Sequence, residues 1–295
     1  GMGLVYSCTI GNTVKFFPDR RGFVGGITTM AYGLGSVILA PIAAKMVAPD
    51  SFGVETTFKI LGVIYLVVIC VGAFMVKKCP DGFVPDGFVP PAPAANVKAT
   101  SDKTWSEMIK DPIFYVMFIM LVAGAFFGLM MISQCASIAG FKGIAAASTV
   151  VSVLALFNAL GRVGCGTISD KLGRINTLIM CLCIAIVGLI LMLVSGDKGS
   201  TALFVVGICC VGFGFGAFMG VYPGFTADQF GPKNNGVNYG IMFIAFAAAG
   251  VLGPMIMRSR FAATGSYNSA YIIAIVFAIV GLVLAFCYKS MSKSK

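Results

Sequence analysis

The 295-residue sequence has no histidine, one tryptophan and little charge, with 11% Asp, Glu, Lys and Arg against 58% hydrophobic residues. A water-facing surface needs about a quarter charged residues, so soluble domains are excluded. Without histidine, His-ligated zinc or haem and Ser-His-Asp hydrolysis are excluded within this chain. No aspartate or glutamate falls inside an apolar run, so no carboxylate is placed to relay protons through an apolar interior. With no nucleophile-base pair and no metal cluster visible, no cofactor is expected and an enzyme fits least. Transport becomes the leading class.

What is abundant is long apolar sequence. A helix needs about 20 apolar residues to cross a hydrocarbon core of about 30 Å. Such runs predict a partial span at 1–14 and complete spans near 22–47, 57–76, 112–135, 144–168, 175–195, 201–222, 236–257 and 268–288. Runs of this length are twice what a barrel strand needs and lack period-two alternation, so the expected fold class is an all-α polytopic membrane protein. Nearly all of the ten cysteines sit inside these runs and read as small packing residues rather than a disulfide framework or metal site. The net charge of +10 is spread over short loops, which argues against a nucleic-acid face.

Alternate assignment of loops to two sides gathers fourteen basic residues on one side and six on the other. The positive-inside rule then puts the 77–111 loop and the C-terminus in the cytoplasm, with the plasma membrane expected rather than an organelle. That loop carries DGFVP twice, at 81–85 and 86–90, followed by Pro91 and Pro93, and reads as a flexible connector. The expected organisation is a partial N-terminal bundle at 1–76, a cytoplasmic linker at 77–111, and a six-helix bundle with a short tail at 112–295.

Phe16-x-Pro18-x-x-x-Gly22-x-x-x-Gly26 repeats as Phe230-x-Pro232-x-x-x-Gly236-x-x-x-Gly240 at an offset of 214, as two halves of one architecture would. The same offset predicts about 100 further residues and three helices ahead of Gly1. Six helices, a connector and six helices resemble the layout of the major facilitator superfamily. Within it, the chain is similar to the oxalate:formate antiporter and monocarboxylate-transporter-like group. The resemblance rests on K-F-F-P-D-R-R-G at 15–22, Y-G-L-G followed by Pro41, N-A-L-G-R at 158–162 running into G-T-I-S-D-K-L-G-R at 166–174, and T-A-D-Q-F-G-P-K-N-N-G-V-N-Y-G at 226–240. The resemblance implies the fold of that superfamily, here lacking about three N-terminal helices, and transport by alternating access.

Arg162 is the one charged residue set well inside a span. Inserting an arginine there costs about 2.5–3.5 kcal/mol, and such residues face a cavity or a partner. Snorkelling toward headgroups or Asp170 is the structural alternative. Asn158, one turn earlier on the same face, makes a polar cavity more plausible, and Tyr32 is a further candidate lining residue. A guanidinium binds carboxylate through paired hydrogen bonds. The resemblance implies the same role, because oxalate-transporting members hold substrate with an arginine in this helix. Those members also carry a lysine in the penultimate helix, where this chain has Phe243, Ala245 and Phe246. One cation balances one carboxylate, so a monocarboxylate is favoured over a dianion.

Asp170, Lys171, Gly173 and Arg174 form a tight turn whose contacts could bias an open-closed equilibrium, a gating role that the resemblance supports. The same reading extends to Asp19, Arg20 and Arg21, and to Asp228 and Lys233. Glycine stripes at 22–35 and 236–253 predict close helix packing and a rocking contact between halves. The expected partners are a small organic anion and the lipid bilayer, with transport by antiport or proton-linked symport. The alternatives are a carrier of another solute in which Arg162 is structural, or a membrane receptor that binds without flux.

Overall fold

The computed structural model describes residues 2–47, 50–80, 83–85, 102–145, 147–197 and 199–293. Their regular elements are eleven helices: α1 (Met2–Phe16), α2 (Arg21–Val47), α3 (Gly53–Met75), α4 (Trp105–Lys110), α5 (Pro112–Phe141), α6 (Ala147–Leu172), α7 (Arg174–Val194), α8 (Thr201–Phe230), α9 (Asn235–Met242), α10 (Ile244–Thr264) and α11 (Asn268–Lys293). Among the described residues seven helices are long and apolar enough to cross a membrane, with α9 and α10 forming one of them. The protein is therefore an integral, multi-pass, all-α membrane protein. Hydropathy predicts the starts closely, but α5 and α8 run on to Phe141 and Phe230, past the predicted ends at 135 and 222. Apolar runs mark the hydrocarbon thickness, whereas backbone hydrogen bonding continues into the polar zone.

The α9–α10 span breaks at Phe243. There the Phe246 N–H donates to the Phe243 carbonyl at 3.0 Å, an i to i+3 bond that tightens the turn and re-aims the ring. At the centre of the fold, Phe126, Phe127, Phe215, Phe218 and Tyr222 of α5 and α8 are fully buried. By contrast α3 points its apolar side chains outward, with Phe58 73% and Phe74 91% exposed, an arrangement that suits an apolar surrounding phase.

Glycine decides where α6 sits. Gly212, Gly216 and Gly220 recur every fourth residue along α8, and a Cβ there would lie 2.9, 2.1 and 2.2 Å from the carbonyl oxygens of Leu154, Asn158 and Arg162. On the other side, a Cβ on Gly22 or Gly26 of α2 would lie 2.1 Å from the Gly166 carbonyl or 2.4 Å from that of Arg162. Backbone contact this close requires side chains absent at the crossing. The expected α2 stripe is thus a packing surface for α6. Its proposed mate behaves differently: a Cβ on Gly236 would meet nothing within 4 Å, and α9 instead approaches α1, where a Cβ on Gly11 would lie 3.0 Å from Gly236 Cα.

Residues 81, 82 and 86–101, which include most of the connector and its second DGFVP copy, lie outside the described residues. Before them, Asn12 donates to the Lys77 carbonyl at 2.9 Å and accepts from the Cys79 N–H at 2.8 Å, tying the segment to α1. After them, the chain is more ordered than a flexible connector. The Thr104 N–H and hydroxyl donate to Glu107 at 2.7 and 2.8 Å, holding its carboxyl below the usual carboxylate range and starting α4. Asp111 caps α5 through the Ile113 N–H at 3.0 Å and takes the Lys103 ammonium at 2.5 Å. These start signals, Thr-x-x-Glu and Asp-Pro, sit in a segment whose prolines dominate its composition.

The packing generates a paired expectation. Gly220→Val should overpack the α6–α8 contact and cost at least about 1–3 kcal/mol. Gly72→Ala in α3, where a Cβ meets nothing within 4 Å, should be neutral or slightly stabilising. Thermal unfolding in detergent measures both.

Candidate functional site

Arg162 is held inside the protein, not splayed toward lipid. Its residue is 8% exposed, and the clamp on α6 aims the side chain at α2. Nε donates to Asn158 Oδ1 at 3.2 Å, the i to i−4 contact that helix geometry provides. Nη1 donates to the Thr29 carbonyl of α2 at 2.6 Å. A Cβ on Gly33 would lie 3.6–3.9 Å from Nε, Cζ and Nη2, in ordinary contact, so α2 runs directly alongside the guanidinium. Among the described residues no carboxylate pairs with Arg162, and Asp170 is engaged elsewhere. The snorkelling alternative is therefore not what the side chain does.

An aromatic wall stands beside the cation. Tyr6 of α1 packs edge-on against Tyr32 at 4.9 Å and stacks on Phe243 at 4.8 Å, and Phe243 stacks on Phe246 at 4.6 Å. Tyr239 lies 5.5 Å from Phe243, and both Tyr6 and Tyr239 are within electrostatic reach of Arg162. Their hydroxyls are buried and face each other, with no further hydrogen-bond partner among the described residues. Of the predicted lining residues, Asn158 binds Arg162 and Tyr32 packs on Tyr6. Tyr6, Thr29 and Phe243 were missed as lining residues, because a ring or a main-chain carbonyl inside a span has no distinctive sequence signal.

The predicted gating residues divide into two groups. Asp170 accepts from the Gly22 and Phe23 N–H groups at 2.9 and 3.0 Å, capping the N-terminus of α2 from α6. Arg174 donates to Asp170 and to Ser169, each at 2.6 Å, and through Nε to Asp228 at 2.8 Å. Arg21 reaches the other Asp228 oxygen at 3.0 Å. Gly173, at φ +86°, makes the turn that brings Arg174 back over α6. Four helices thus meet in one ion-pair network. The other group stays outside it. Lys171 is exposed, and Asp19 and Arg20 pair only with each other at 3.4 Å on the surface. Lys233 uses its backbone, donating its N–H to Asp102 at 3.0 Å and accepting from Lys15 at 3.3 Å.

A cavity of about 560 Å³ opens at this basic end, bounded by α1, the start of α2, Cys79, Pro80, Phe83 and the α8–α9 turn. Arg162 does not line it.

Comparison with known proteins matches residues 1–254 to the model of the Major Facilitator Superfamily. The chain is 30% identical over 252 residues to the uncharacterized MFS-type transporter YhjX of Escherichia coli (strain K12), covering 84% of this chain and 60% of that protein. It is 27% identical over 287 residues to the oxalate:formate antiporter of Oxalobacter formigenes, covering 97% and 66%. It is 24% identical over 323 residues to monocarboxylate transporter 12 of Rattus norvegicus, covering 100% and 66%. The chain thus spans less than two thirds of the length of the curated relatives it matches first.

The geometry separates two hydroxyls from one amide. Tyr239→Phe removes a buried oxygen whose one polar neighbour is the Tyr6 hydroxyl and should lower thermal stability in detergent by at most about 1.5 kcal/mol. Asn158→Ala strips the guanidinium of an acceptor and should cost about 1.5–3 kcal/mol in the same measurement.

Proposed function

The chain belongs to the Major Facilitator Superfamily, and on that premise we propose that it carries small organic anions, monocarboxylates above all, across a membrane by alternating access. The observation that supports this most is the buried Arg162 guanidinium without a carboxylate partner among the described residues, beside the buried Tyr6 and Tyr239 hydroxyls, which face only each other. A buried cation is costly until an anion neutralises it, and a carboxylate does so through charge-assisted hydrogen bonds. The Tyr6 and Tyr239 hydroxyls supply further donors to its oxygens. Aromatic faces at Phe243 and Phe246, where the oxalate-transporting group has a lysine, leave one positive charge and so favour one negative charge. The printed names of the relatives, an oxalate:formate antiporter and a monocarboxylate transporter, point to the same substrate class. In this reading Arg162, Asn158, Tyr32, Tyr6 and Tyr239 form the binding surface.

The network of Asp170, Arg174, Arg21 and Asp228 closes the basic end in this conformation, and its release is the gating step. Gly173 shapes it, while Lys171, Asp19, Arg20 and Lys233 contribute only to the charge of that face. The basic loops face the cytoplasm, in keeping with the fourteen-to-six distribution of cations. The plasma membrane is the proposed location.

Uptake of labelled lactate, pyruvate, formate and oxalate into proteoliposomes by the full-length protein tests the proposal. Monocarboxylate uptake should exceed oxalate uptake, and Arg162→Ala should lower it by roughly a hundredfold, as loss of a buried charged bond implies. Unchanged uptake in that variant would remove Arg162 from the binding role. For the gate, Asp228→Asn should raise alkylation of basic-end cysteines in membranes, and an unaltered rate would sink the gating assignment.

A further inference from the structure

Arg162 does not line the cavity at the basic end, yet that cavity has the features of a binding site. Five of its twelve lining residues come from the two copies of the duplicated motif. Pro18 and Pro232 occupy equivalent positions at the offset of 214, as do Arg21 and Asn235, and all four line the cavity. The space therefore lies where the two halves of the architecture converge, rather than at an incidental surface dent. At about 560 Å³, with apolar walls and a few placed polar groups, it has the size and composition of a small-ligand site.

Its charge is unbalanced. Lys15, Arg21 and Lys233 line it without a lining carboxylate. Arg21 is matched by Asp228. Lys15 donates only to a backbone carbonyl, and among the described residues neither Lys15 nor Lys233 has a carboxylate on its ammonium. Asp102 meets Lys233 at the backbone N–H and does not line the cavity. Two lysines without a carboxylate partner among the described residues thus border one half-open cavity. Asn235, 2% exposed, adds a second, independent sign: its amide nitrogen donates to the Pro223 carbonyl at 3.4 Å, while its Oδ1 is buried without a partner. A buried acceptor of this kind calls for a donor, supplied by a bound water or by the P–OH of monohydrogen phosphate, since carboxylate oxygens only accept.

We propose that this cavity is a second anion site, distinct from Arg162, that takes a small dianion bearing carboxylate or phosphate groups. Two ammonium groups match two negative charges, whereas the single guanidinium at the centre matches one. The dianion bridges α1 to the α8–α9 turn, so its binding stabilises the closed basic end. The same chemistry is offered by a soluble anion or by a phosphate headgroup of the surrounding lipid.

The test uses the full-length protein in phosphatidylcholine nanodiscs, with thermal unfolding measured against succinate and inorganic phosphate. Alkylation of Cys79, which also lines the cavity, is followed by mass spectrometry as a second readout. Both anions should raise the unfolding temperature and slow Cys79 alkylation. Lys15→Gln combined with Lys233→Gln should weaken the apparent affinity at least about tenfold, while Arg162→Gln should leave it intact. Protection that appears only when phosphatidic acid is added, and is lost in the double variant, assigns the site to lipid headgroups. Absence of protection by any of these anions, its persistence in the double variant, or its loss in Arg162→Gln overturns the proposal. Because the last variant separates the two sites, failure here leaves the central carboxylate reading standing, and the reverse also holds.

Discussion

The close approach of α6 to the helices on either side is the constraint on which the rest depends. The Arg162 carbonyl is where Gly26 of α2 and Gly220 of α8 both arrive, each so near that a methyl group could not be placed between them. This contact sets the rotation and depth of α6. With them it sets the direction of the Arg162 and Asn158 side chains, and it puts the Thr29 carbonyl within reach of the guanidinium. A transmembrane helix gains little from burying apolar surface against its neighbours, because lipid is equally apolar, so close van der Waals packing and the hydrogen bonds it permits carry the association.

The buried cation and the surface network are solutions to opposite electrostatic problems. At the basic end, Asp170, Arg174, Asp228 and Arg21 neutralise one another across four helices, with side chains between 13% and 38% exposed. Arg162, by contrast, sits in low dielectric with only neutral oxygens for company, a state that a carboxylate improves substantially. The molecule holds its ion-paired charges at the rim and, among the described residues, a cation without a carboxylate partner at the centre, the distribution that the proposed alternating-access cycle calls for.

Much of this was legible in the sequence, for reasons tied to particular residues. Helix positions followed from apolar runs. Arg162 stood out because a charge within a span is rare, and the Asp170–Arg174 turn because its motif is compact. The α2 glycines were visible too, but the more consequential stripe at Gly212, Gly216 and Gly220 was hidden among the other glycines of α8. The aromatic wall was illegible: Tyr6 lies in a short first helix, and Phe243 acquires its place only through the break in the α9–α10 span. The helix at 105–110 was masked by the prolines that precede it, although its capping residues were present. Equivalent motifs also misled in one respect, since Gly22 packs against a backbone and Gly236 meets open space.

The aromatic wall has a consequence for acidity. Arginine stays protonated throughout the physiological range, phenols ionise only in strongly alkaline conditions, and phenylalanine does not titrate at all. Among the described residues, the surroundings of Arg162 therefore keep a constant charge while the medium changes between mildly acidic and mildly alkaline. Within the proposed binding surface, a response to external acid would lie in the ionisation of the cargo and not in these walls.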